Sequence, residues 1–426
     1  MTHLGAPQAA PPHLSAPPQA VPAARPTPYS TASPAAAGSR EAAHAAAVAA
    51  LRAASAAQIS PQWTDIRPAT APREMPADPA KPAPARPPER RRAGVRVVQI
   101  ICWQLAALAL VLTIGHSWIA TGFVAFGALV VVAITATRIR GRWVYEWLLV
   151  SSGYLSRRHD HDLPGAAGGA LLRSIAPEAQ GAEDVLDGDP VFLVSRAAGV
   201  SAVLEPTPGP LPPAEAMLPP SDERDLAFAV QVIHHLGPGQ QTPRAWVALQ
   251  ALRTIGMHQD TDLQRELGNA LRRVRRRLRR DRLSTIALDE RAFCGTVASL
   301  AHVTAGRARV REEWRLWHSG PIAQATFRLG GWARLSAASA PQVVRGLLAA
   351  APHAAVTISV TTSRSVTATR TNATLRVAAT NLPVLEHAAQ TLARLAERYG
   401  LATERLDGRH VWGLAATLPI GVPEPR

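Results

Sequence analysis

The sequence predicts a disordered N-terminal tail, a two-helix transmembrane hairpin, and then a cytoplasmic α/β or α+β domain with a mixed sheet. Three observations predict it. Residues 1 to about 90 are dominated by Ala and Pro; residues 97 to 137 hold no Asp, Glu, Lys or Arg; and from about residue 170 onward, period-two runs are interleaved with apolar repeats of three to four residues.

The tail comes first. Stretches such as "APPHLSAPPQAVPAARPTP" and "PADPAKPAPARPPER" offer too few large apolar side chains to offset the entropy of ordering a chain, which predicts disorder over 1–90. One island, 39–58, is rich enough in Ala to form a transient helix. The first apolar stretch begins near 97 and is too long for the apolar region of a secretory signal.

The uncharged run of 41 residues would extend roughly 60 Å as helix, twice the ~30 Å core of a bilayer. It therefore divides into spans of about 97–115 and 118–137 around Gly115 and His116. Neither half carries the polar stripe that a buried helix pair of a soluble protein would need. Arg90, Arg91, Arg92 and Arg96 precede the first span, Arg138, Arg140 and Arg142 follow the second, and the turn has no fixed charge. Cations are retained on the cytoplasmic side, so both termini are expected inside a plasma membrane. A juxtamembrane helix is expected over 138–155. There Arg138, Arg140 and Arg142 would meet anionic headgroups, Trp143, Tyr145 and Trp147 would sit at the interface, and Arg142 and Glu146 are spaced to pair along the helix.

The net charge of +15 suggests nucleic acid only until it is apportioned. Eight arginines and one aspartate fall in "LRRVRRRLRRDR" (271–282), which leaves the rest of the soluble part near neutral. Lys81 is the only lysine, and with so much Ala and Pro this is the signature of a GC-rich genome more than of a ligand. Cys102 lies in a span and Cys294 in the soluble part. They are expected to stay unpaired in a reducing cytoplasm.

Beyond the anchor, "SRRHDHDLPGAAGG" (156–169) reads as a linker, with the domain expected over 170–421. Alternating runs at 191–196 and 199–205 predict a hairpin, and 226–236 and 244–254 two further strands. Leu263, Leu267, Leu271, Val274 and Leu278 set a helical period over 263–281, with Thr261 and Gln264 at capping-box spacing. "STIAL" follows as a strand, then a helix capped by Asp289. The last hundred residues read as strand 322–329, helix 341–350, strands 354–362 and 372–379, helix 382–399 and strand 401–406. That order is β-α-β-β-α-β, one of the ferredoxin-like arrangements.

No site for chemistry stands out. The phosphate-binding pattern G-x-x-x-x-G-K-[ST] is absent. "HDHD" (159–162) has metal-ligand types but sits in the expected linker. Asp187 and Asp189 have the spacing of a D-x-D that could hold a divalent ion against a nucleotide sugar, as in a membrane-tethered glycosyltransferase-like enzyme, yet "DGD" before a strand is a turn signal. His234 and His235, adjacent on a strand, point to opposite faces. Cys294 has no neighbouring His. The arginine-rich helix remains, with Arg272, Arg275, Arg276 and Arg279 as contacts to a protein partner or to phospholipid. A merely solvated face is the alternative, and the missing aromatics disfavour nucleic acid. No catalytic, cofactor or metal residues are assigned.

Taken in order, "GRWVYEWL" (141–148) after the apolar hairpin, "DGDPVFLVSRAAGVSAVLEP", "RAWVALQ" before the arginine helix, "EEWRLWHSGPIAQATFRLGGW" and "VWGLAATLPIG" resemble EccE of the type VII (ESX) secretion system of actinobacteria. The likeness covers about 95–421. It implies a non-ATPase, non-enzymatic membrane subunit of a protein-transport complex, beside EccB, EccC, EccD and the mycosin protease. It carries over no catalytic residues.

Overall fold

Two helices form from the uncharged run. α1 (Val97–Leu112) and α2 (Trp118–Ala136) are separated by a turn in which Gly115 takes a φ of 100°. The Ser117 hydroxyl caps α2 by accepting the N–H of Ala120 at 3.4 Å. α1 returns along α2: the Gln99 amide donates to the Thr135 carbonyl at 2.7 Å and the Trp103 indole to the Thr135 hydroxyl at 2.8 Å. The Thr121 hydroxyl donates to the Thr113 carbonyl at 3.0 Å near the other end. Large side chains such as Phe123, Phe126 and Leu129 are exposed. Among the described residues only α2 is long and apolar enough to cross a bilayer. The 16 residues of α1 reach about 24 Å, short of a ~30 Å core.

The computed structural model describes residues 97–421, apart from 116, 140–141, 164–166, 220–225, 304–308 and 365–368. All of these belong to one unit, Pro82–Arg426. The expected tail over 1–90, its helical island and the arginines at 90, 91, 92 and 96 lie outside the described residues.

After α2 the chain pairs β1 (Arg138–Ile139) with β2 (Arg142–Trp143) before α3 (Val144–Leu155) begins. The helix expected over 138–155 thus starts only at Val144. The Val144 N–H bonds the Thr137 carbonyl at 3.0 Å and the Trp147 indole bonds the Ile139 carbonyl at 3.2 Å, which holds the start of α3 against β1.

The domain then runs β3 (Asp160–Asp162), α4 (Ala167–Ile175), β4 (Gln180–Leu186), β5 (Asp189–Arg196), β6 (Gly199–Pro206), α5 (Ala214–Met217), β7 (Ala227–Leu236), β8 (Arg244–Leu252), α6 (Asp260–Arg280), β9 (Thr285–Ala287) and α7 (Glu290–Leu300). It continues with β10 (Arg309–Glu312), β11 (Trp317–Ser319), β12 (Ile322–Gly330), α8 (Ala340–Ala349), β13 (Ala355–Arg364), β14 (Thr369–Ala379), α9 (Leu382–Arg398), β15 (Ala402–Arg405) and α10 (His410–Ala416). One sheet takes the order β3-β10-β11-β12-β14-β13-β7-β8-β6-β5-β4, with β15 beside β12 and β9 beside β6. It already includes residue 160, so the linker expected at 156–169 is partly an edge strand. Every described pairing is antiparallel. The architecture is therefore α+β, without the parallel pairs that the expected mixed sheet requires.

The β-α-β-β-α-β unit expected at the C-terminal end is present, and it is present twice. β6-α5-β7-β8-α6-β9 assembles as β9-β6-β8-β7, and β12-α8-β13-β14-α9-β15 assembles as β15-β12-β14-β13. In each, a helix carries the chain past one strand position, and the following hairpin fills the gap, so neighbours run antiparallel. The halves join through β7 and β13, paired from Val356 and Leu236 to Arg364 and Phe228.

Alternation along the strands supplies both faces. One face, with Val230, Val232, Leu249, Val356, Ile358 and Leu375, packs under α6, α8 and α9. The other, with Val194, Ile233, Trp246 and Trp317, packs under α4, α7 and α10. A polar seam crosses this second face. Gln231 donates to Ser359 and to the Ala416 carbonyl, each at 2.9 Å, and Gln324 donates to the Ala301 carbonyl at 2.9 Å. The buried Arg376 donates to Gln324 Oε1 at 2.7 Å, and burial pushes its pKa down to about 9.

Gln324→Leu is expected to cost about 2 to 3 kcal/mol by stranding that guanidinium. Arg376→Met in the same background should recover most of the loss, because an apolar group of similar volume needs no acceptor. Urea unfolding of the two variants checks this; a double variant no more stable than the single one contradicts it.

Candidate functional site

The residues that join the apolar helix to the sheet form a set of charged and aromatic contacts outside the core. α3 begins with Glu146 accepting the Trp143 N–H at 3.3 Å, a carboxylate placed at the positive end of the helix dipole. Arg138 stacks over the Trp143 ring at 3.8 Å. Arg142 turns into the domain, pairs with Glu404 of β15 and lies 5.3 Å over the Trp147 ring. Glu404, rather than Glu146, is thus its partner. Trp147 approaches Trp314, in the β10–β11 turn, at 6.3 Å, and Tyr154 meets the same ring edge-on at 5.2 Å. Tyr145 is half-buried, and Arg140 lies outside the described residues. The aromatics expected at a headgroup layer therefore include one, Trp147, that is packed on the domain.

At the far end of α3, Arg157 donates to Glu312 Oε1 at 2.9 Å and to the Gly408 carbonyl at 2.6 Å. Glu312, with a side chain 1% exposed, also accepts the Val411 N–H at 3.1 Å. Burial pushes its pKa up, and the Arg157 guanidinium pulls it back. Gly408 takes a φ of 69°, and a Cβ there would lie 2.9 Å from Val150 and 2.7 Å from Trp314. Only glycine lets α3 come this close.

Beside this joint is a cavity of 610 Å³ lined by Leu149, Tyr154, Arg157, Arg196, Arg328, Arg409 and Trp412, among others. Arg328 and Arg142 share the one carboxylate of Glu404. Burial lowers the pKa of Arg409, and so do the guanidiniums of Arg142 and Arg328.

The arginine helix divides its charges between two faces. Leu263, Leu267, Leu271, Val274 and Leu278 pack on the sheet as their period predicts, and Arg275 is buried with them. Its guanidinium donates to Asp189 at 2.8 Å, to Asp187 at 3.4 Å and to the Leu186 carbonyl at 3.3 Å, and Arg272 donates to Asp187 at 3.1 Å. Asp187 and Gly188, at φ of 54° and 92°, make the tight turn between β4 and β5. The two carboxylates of "DGD" are thus arginine acceptors, and Arg275 is a clamp on a hairpin rather than an outward contact. Arg276 and Arg279 are exposed, with Arg273 and Arg280 beside them around an open concavity.

"HDHD" supplies β3, with Asp160 bonded to Arg309 at 3.0 Å and His161 to the Arg158 carbonyl at 3.1 Å. Among the described residues no group of three or more His, Cys, Asp or Glu is placed to hold a metal ion. His235 bonds the Thr357 hydroxyl at 2.9 Å on one face of β7. On the other face His234 lies on the floor of a second cavity, 510 Å³, walled by Pro206–Pro213 and α8. Burial pushes both imidazoles down to about 4. Cys294 is a half-buried thiol whose pKa burial raises. For the joint residues Glu312, Trp314, Glu404 and Arg409 the charged and aromatic "EEWRLWH" is the local signal that the sequence carries.

No protein-family model matches this chain, and no curated protein matches it.

Arg275→Ser is expected to destabilise the domain by about 2 kcal/mol through loss of charged hydrogen bonds. Arg276→Ser and Arg279→Ser should change stability by under about 0.5 kcal/mol. Thermal unfolding of the three single variants reads this ranking; equal effects would contradict the clamp.

Proposed function

We propose that this chain is a membrane-anchored structural subunit of a type VII protein-secretion complex, similar to EccE, which works by anchoring and protein contact rather than by catalysis. One observation carries the reading: the apolar helix does not end in a flexible tether but in α3, which Arg142, Trp147, Tyr154 and Arg157 fasten to β15, the β10–β11 turn and the loop at Gly408. A domain held this way keeps one orientation to a bilayer, as a scaffold requires. α1 is proposed to enter the plasma membrane with α2, so that both chain ends are cytoplasmic. Partners are proposed to be EccB-, EccC- and EccD-like subunits and mycosin, with the exposed Arg276 and Arg279 as contacts.

The transferase-like alternative needs Asp187 and Asp189 free for a divalent ion, whereas Arg272 and Arg275 already occupy them. This favours the scaffold.

A cysteine at Ser117 should react with an impermeant thiol reagent in intact cells, and one at Ser156 should not; the reverse pattern overturns the orientation. Arg273→Ser, Arg276→Ser and Arg279→Ser together should weaken co-purification with the EccC- and EccD-like subunits and reduce export. Loss of export from Asp187→Asn and Asp189→Asn in a domain that still folds and assembles would replace the scaffold reading with the enzymatic one.

A further inference from the structure

The cavity at the α3 joint has two features that the contact reading leaves unused. The first is charge. Arg157 is matched by Glu312, but Glu404 serves both Arg142 and Arg328, and Arg409 forms no ion pair among the described residues. Of the nearby carboxylates, Glu146 accepts the Trp143 N–H and, with Glu404, acts on Arg409 without pairing with it, and Glu178 is exposed at the cavity wall. The half-buried Arg409 has no ion pair of its own among the described residues, and the exposed Arg328 has only a share in Glu404 at 3.6 Å, so both can take an added anion.

The second feature is apolar and adjoins the first. Leu148, Leu149 and Leu155 of α3 are 51%, 64% and 77% exposed, although the helix is bound to the domain on its other side. Leu149 lines the same cavity as Arg328, Arg409 and Trp412. α3 starts eight residues after the end of α2, and Leu149 is five residues into it, about 8 Å along its axis. A cavity lined by cations and by one exposed leucine, with two more on the same helix and this close to an apolar helix of spanning length, matches a molecule with a phosphate at one end and acyl chains at the other.

We propose that this cavity binds one anionic phospholipid, its phosphate on Arg328 and Arg409 and its acyl chains along Leu149 and the exposed leucines of α3. The site rests on α2 lying in a bilayer, but not on the secretion assignment. It differs from the exposed arginines of α6, which have no apolar edge of this kind. A bound lipid would neutralise the joint and fix α3 at the bilayer surface.

The test uses the full chain purified in a neutral detergent, with phosphatidylglycerol or phosphatidylcholine added to the micelles and native mass spectrometry counting retained lipid. Wild type is expected to keep one phosphatidylglycerol and to discriminate against phosphatidylcholine. Arg328→Gln with Arg409→Gln should lower retention at least fivefold, and Leu149→Glu, at an exposed position, should do so without disturbing the fold. Arg276→Gln with Arg279→Gln should leave it unchanged. Equal retention of both lipids, unchanged retention in both cavity variants, or displacement of the lipid by inorganic phosphate at millimolar concentration would overturn the proposal. Secretion is not read in this test, so its failure and that of the scaffold reading remain distinct.

Discussion

A buried carboxylate, Glu312, is the constraint on which the placement of the domain depends. It closes β10, its backbone N–H bonds the His159 carbonyl at 2.7 Å, and its side chain accepts from Arg157 and from the first turn of α10. One residue therefore ties the end of α3, the edge strand β3, the sheet and the last helix. An ion pair of this kind is weak evidence for net stability, because desolvating both charges offsets their attraction. Removing one partner is different: it leaves an uncompensated charge inside, at a cost of about 3 to 5 kcal/mol. Its effect is specificity, since α3 has one low-energy seat on the domain.

The sheet offers that seat because it is built from two like halves. In both units the helix-linked strands leave β9 or β15 beside the far end of the first strand, opposite β5 or β11 at the near end. β15 is thereby exposed enough to present Glu404 to Arg142. In the first half, α5 is a single turn after "PTPGPLPP", whereas its counterpart α8 has ten residues. The short helix leaves space over Val232, His234 and Val360 at the seam, and these residues line the 510 Å³ cavity there.

Legibility followed the length of the local pattern. The second β-α-β-β-α-β unit was readable because each element spans enough residues to show its period; α9, expected at 382–399, covers Leu382–Arg398. The first unit hides the same fold, since four helical residues inside a proline run carry no period. β3, β10 and β11 have three to four residues each, too few to alternate visibly, and "HDHD" looked like linker because its strand character comes from pairing with Arg309–Arg311. The burial of Arg275 depends on a turn 86 to 89 positions away, a separation that helical periodicity does not report. The apolar run itself was plain, but Arg142 and Trp147 took partners in the distant domain over the membrane interface that composition suggested.

The helix leaving the apolar segment is a fixed part of the domain. Amide hydrogen exchange over 147–155 tests it most directly, with the full chain in detergent. Protection within about tenfold of that of the β12–β14 pair, falling by at least a hundredfold in Arg157→Met while the sheet keeps its own, is the result this account requires. Exchange in the wild-type helix as fast as in an unattached peptide, or protection untouched by Arg157→Met, would contradict it.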